Sequence, residues 1–157
     1  MATQFSNDPK RGPAYEDDFA AWAFYQAMLV RSGQLHLLDR HGIAEELDTL
    51  GRKEFRTLDS LLAQVIEHML KWDRQPERRG VSWVNSIAKQ RSKIGKLLAD
   101  NPSLKSRQME AVGEAYPDAV REASTALTIA PSKFPTRCPY SWDEIMTRSF
   151  DWPEDAE

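Results

Sequence analysis

Three residues have types and positions that invite a chemical explanation: Glu54, His68 and Arg91. At 100° per residue, Glu54 falls on the apolar stripe of a long helix, between Gly51 and Leu58. A carboxylate there must reach a rim or find a partner, because an unpaired buried charge is very costly. Arg91 sits on the flank of a second stripe set by Trp83, Ile87 and Ile94, so the pattern predicts a Glu54–Arg91 ion pair joining two helices. The alternative is a Glu54 exposed by a local bend at Gly51. His68 lies at the edge of the long stripe, where it could act as a metal ligand or general base. Glu46 precedes it by 22 residues, about 33 Å along one helix, so the two cannot share a metal. A ligand set would have to recruit Glu16, Asp17 or Asp18, or else Glu110 or Glu114. No HExxH or Glu-x-x-His spacing occurs, and the plainer reading is a histidine hydrogen-bonded at a helix interface. His68, Glu54 and Arg91 are thus the candidate catalytic set, with no metal site and no cofactor expected.

A second candidate is electrostatic. Between Lys71 and Arg107 the chain has ten Lys/Arg against three Asp/Glu, a surplus of +7. The whole chain carries −3, so the flanking segments hold −10. Lys71, Arg74, Arg78, Arg79, Lys89, Lys93 and Lys96 could form a nucleic-acid or phosphate-binding face, or could be neutralised by the acidic helices around them. Trp72 and Trp83 flank the start of this block and could stack on bases, but both fall on apolar stripes and read as core. Glu45, Glu46 and Asp48 oppose a helix dipole, which is enough to explain them. Cys138 has no histidine nearby to activate it as a nucleophile. Gly-rich phosphate loops and G-x-S-x-G elbows are missing.

The elements that must position these residues are helices. Glu16, Asp17 and Asp18 predict a first turn beginning near Tyr15, with Phe19, Trp22, Ala23, Gln26 and Leu29 following at helical spacing and Gly33 as C-terminal cap. Ile43, Leu47, Phe55, Leu58, Leu61, Leu62, Val65, Met69 and Trp72 keep phase on one stripe, predicting a central rod that Pro76 ends. A third helix is expected from a Ser82 cap through Leu98, and a fourth from a Ser103 cap through Leu127. A proline-punctuated strap, Pro131 to Pro139, precedes a short helix capped by Ser141. The expected fold class is therefore all-α: about four main helices around one long central helix, plus a short C-terminal helix. The expected organisation is a flexible arm over 1–14, a single helical domain over 15–152 and a tail over 153–157.

Composition narrows the class further. The 157 residues are 41% hydrophobic and 29% charged, as in globular chains. No apolar run reaches membrane-spanning length, the start lacks the pattern of a secretory signal, and a lone Cys138 fits a reducing compartment. A cytoplasmic protein that does not enter membranes is expected.

Several stretches also resemble a known family. They are Tyr15–Glu16–Asp17–Asp18–Phe19–Ala20–Ala21–Trp22 and Glu45–Glu46–Leu47–Asp48–Thr49–Leu50–Gly51–Arg52–Lys53–Glu54, followed by His68–Met69–Leu70–Lys71–Trp72 with Gln75–Pro76 and Ser82–Trp83. Asn101–Pro102–Ser103–Leu104, Phe134–Pro135 and Cys138–Pro139 complete the series. In this order they are similar to domain-of-unknown-function family twenty-nine, a bacterial family, over about Tyr15 to Phe150. The resemblance implies a helical fold and no particular activity. Five tryptophans, the amphipathic rod and the lack of catalytic motifs favour a helical module that binds a protein partner or itself. Nucleic-acid or phosphate binding through 71–107, and an enzyme with a His/carboxylate site, are the alternatives.

Overall fold

The computed structural model describes residues 12–151, so most of the expected arm (1–11) and all of the expected tail lie outside the described residues. The fold is all-α, a helical bundle ending in a short helix, with no strand among the described residues. Its helices are α1 (Phe19–Arg31), α2 (Arg40–Arg74), α3 (Val81–Asp100), α4 (Gln108–Leu127) and α5 (Trp142–Thr147). The chain divides into two compact units, Met1–Gly51 and Arg52–Glu157, and α2 runs without interruption through the boundary residue Gly51.

In the first unit, α1 starts at Phe19, four residues later than the expected start near Tyr15. The Asp18 carboxylate accepts from the Ala21 N–H at 2.9 Å, and this N-cap fixes Phe19 as the first helical residue. Tyr15 to Asp17 form a turn before it. Gly33 ends the helix as expected. With φ +73° it lets Gln34 donate to the Leu29 carbonyl and Gly33 to that of Val30, the paired bonds of a Schellman cap. Asp39 then opens α2, accepting from the Gly42 N–H at 2.9 Å and from Trp22 Nε1 at 3.1 Å. The Asp39 N–H in turn donates to buried Gln26. Gly42 is required here, since a Cβ would lie 2.8 Å from the Trp22 ring and 2.5 Å from the Asp39 carboxylate.

In the second unit, Phe55, Leu58, Leu61, Leu62, Val65, Met69 and Trp72 of α2 are all buried. They share one core with Ile87, Ile94 and Leu98 of α3, with Val112, Ala115, Tyr116, Ala119 and Ala123 of α4, and with Ile145 of α5. The N-terminal end of the stripe behaves differently: Leu47 is 63% exposed, against the expectation that it packs inward. At Gly51 no close packing requires a glycine, because a Cβ there would meet nothing within 4 Å.

Two expected caps are absent. Helix α3 begins at Val81 with Gly80 before it and no side-chain cap. Ser103 lies inside a 3₁₀ turn, Pro102–Arg107, that delays α4 to Gln108. There the Leu104 N–H bonds the Asn101 carbonyl, an i→i+3 pattern that draws Ser103 into the turn. At the C-terminal helix, Ser141 and Glu144 form the full reciprocal capping box.

Candidate interaction surfaces

The expected Glu54–Arg91 ion pair does not form. Arg91 instead donates from Nε to the Ile145 carbonyl (2.6 Å), from Nη1 to that of Arg148 (2.8 Å) and from Nη2 to that of Glu144 (3.0 Å). Its guanidinium also lies over the Phe150 ring. The three carbonyls belong to the last turn of α5 and the residue just beyond it, where helical partners run out and a cation is favoured. Burial, and then the nearby Arg148, lower the pKa of Arg91, so its hydrogen bonds offset a real desolvation cost. Glu54 is half-buried and belongs to no ion pair among the described residues.

Beside this clamp, Asp73 of α2 accepts from Arg148 (2.6 and 3.0 Å) and from the Tyr140 hydroxyl (2.7 Å). Burial alone would raise the Asp73 pKa, but the Arg148 and Tyr140 hydrogen bonds outweigh it and hold the carboxyl below its ordinary range. Burial and then Asp73 push the Tyr140 phenol far upward. Sequence reasoning passed over Asp73, Tyr140 and Arg148. The feature that marks them is the proline strap, which brings chain far from α2 back against it.

His68 is half-buried, and its Nδ1–H donates to the Gln64 carbonyl one turn earlier, at 2.7 Å. Glu54, His68 and Arg91 thus have no hydrogen bond or ion pair in common. Among the described residues no group of three or more His, Cys, Asp or Glu could hold a metal ion. Cys138 is half-buried, and burial raises its thiol pKa, the reverse of what a nucleophile needs.

The basic block divides in two. Lys71 pairs with Glu67 at 3.1 Å and lies over Trp83. Arg74 donates to the Lys133 carbonyl and covers Phe134. Arg78 donates to Gln75, and Arg79 donates to the Trp72 carbonyl while stacking on that tryptophan. These four are committed within their own unit. Lys89, Lys93 and Lys96 on α3 are exposed and in no ion pair among the described residues. Lys93 and Lys96 edge a groove of about 330 Å³ with Thr57, Leu61, Leu97 and Asp100.

The first unit presents a different surface. From Phe19 to Val30, α1 carries no charged residue and only Gln26 is an amide. A helix apolar on every side is normally covered on every side. Here Trp22, Gln26 and Leu29 are buried, while Phe19, Phe24, Met28 and Val30 stand roughly half or more exposed, Phe24 at 75%. Leu35, Leu37, Leu47 and Leu50 of the same unit are exposed as well. Among the described residues of the second unit, only Val81 and Met109 are large apolar side chains so placed. No helix among the described residues is long and apolar enough to cross a membrane.

Compared with known proteins, residues 14–151 match one family model, that of the domain of unknown function DUF29. No curated protein and no solved structure matches the chain.

Proposed function

From the premise that the chain belongs to the DUF29 family, whose model covers nearly all of it, we propose that it is a helical interaction module that docks a protein partner through its first unit. The observation that carries this reading is α1: apolar all round, yet buried only along Trp22, Gln26 and Leu29. Leaving several large apolar side chains of one small unit in water is costly at about 25 cal/mol per Å², a cost that a docked partner would relieve. A photo-crosslinking residue placed at Phe24 in the native host is expected to give one discrete adduct, and the same residue at exposed Lys105 none. Equal smears from both positions, or no adduct at either, would defeat the proposal.

A second reading rests on Lys89, Lys93 and Lys96, exposed on one helix and outside every ion pair described. They would bind a polyanion such as a nucleic-acid backbone or phosphate, with affinity falling as salt rises. Three cations give a shallow salt slope, and replacing all three by Gln should abolish binding if this reading holds. On either reading residues 15–152 act together as one functional domain, in the bacterial cytoplasm, and need no cofactor.

A further inference from the structure

We infer that the partner covering the first unit is a second copy of this chain, joined by antiparallel packing of α1 on its twin. This rests on the interaction reading above and deepens it. The argument is charge and pattern. Helix α1 is uncharged between its ends, and the ends are opposite in sign: exposed Glu16 and Asp17 lead into it, and exposed Arg31 closes it. A twofold axis near Tyr25 sets each acidic end beside the partner's Arg31 and opposes the two helix dipoles. A parallel pair would set acid against acid.

The same axis makes the surface self-complementary. Ala20, Ala23, Ala27 and Val30 recur at three- and four-residue spacing, so they form one seam. About Tyr25, Ala23 faces the twin's Ala27 and Ala20 faces its Val30. Small residues there let two helix axes approach to the short end of the usual 8–10 Å, and Phe19 and Phe24 close over the flanks. An anionic lipid surface fits less well, because it would repel the acidic approach to α1, and the single cation of the helix, Arg31, offers little to hold it.

Sedimentation velocity of the full chain tests this. The expected species has twice the 18.0 kDa of one chain. Phe24→Asp should return it to a monomer with unchanged helical circular dichroism. Arg31→Glu should weaken association about tenfold, and adding Glu16→Lys with Asp17→Lys should restore most of that loss, a rescue that a merely structural role for Arg31 would not show. A monomer at about 100 μM, where even weak dimers assemble, overturns the inference. If the Phe24 crosslink then falls on a different protein, self-pairing is wrong while the interaction reading stands; if no crosslink forms, both fail. Flotation of the monomer with anionic vesicles would likewise overturn self-pairing.

Discussion

The two units use similar amino acids to opposite ends. In the second, apolar side chains from α2, α3, α4 and α5 close on one another, and charged groups hold down the segment around α5: Arg91 on three carbonyls, Asp73 on Arg148 and Tyr140. In the first, Trp22 and Leu29 are the only buried hydrophobic residues among the described residues, and a small polar knot joins Trp22, Gln26, Asp39 and Gly42. Cohesion in one unit is supplied internally; in the other, on the function proposed above, it would be completed by a partner. The lesson is that an amphipathic pattern tells which side of a helix seeks cover, not whether the chain itself provides the cover.

Substitutions should separate the units. Arg91→Ala leaves three carbonyls without their donor and frees α5, so chemical denaturation should show a loss of about 3 kcal/mol. The expected signature is early exchange of amides in 142–150 with α1 unaffected. If stability changes by only a few tenths, the clamp is ornamental and the contrast fails.

Gly42→Ala acts on the other side. Its methyl meets the Trp22 ring and the Asp39 carboxylate, and should cost about 1–3 kcal/mol as overpacking. Hydrogen exchange should rise in α1 and leave α3 and α4 protected. Loosening of α3 or α4 instead would mean the units are not independently stabilised.

The smallest effect is in pH. Asp73 has a folded-state pKa below its unfolded value, so its contribution is complete above the ordinary carboxylate range and disappears as pH falls through the lowered value. Urea midpoints should drop below about pH 4, and Asp73→Asn should flatten that part of the profile. An unchanged acid profile in Asp73→Asn would remove the carboxylate from the account.

Much of the architecture could be read from the residues. The central helix, its end before Pro76, the Gly33 cap and the Ser141 capping box all follow from local chemistry that acts within a few residues. Ser82 and Ser103 misled because a good capping residue is also a good turn residue, and the 3₁₀ turn after Pro102 took Ser103 into its interior. Leu47 misled because periodicity locates a face but not its neighbour. Arg91 was singled out for the right reason, a cation beside an apolar stripe, but assigned the wrong partner. Its acceptors are backbone carbonyls 53 to 57 residues later, and carbonyls have no signature in side-chain type. The candidate surface on α1 was not singled out from the sequence, because helical spacing there suggested an ordinary buried stripe, and its exposure emerges only from the fold.

The most direct test is amide exchange across α1 measured at about 1 and about 100 μM, since protection by association follows mass action. The account predicts that protection of Phe19–Arg31 rises with concentration while that of Val81–Asp100 stays constant. Protection of α1 that is already high and independent of concentration would contradict it.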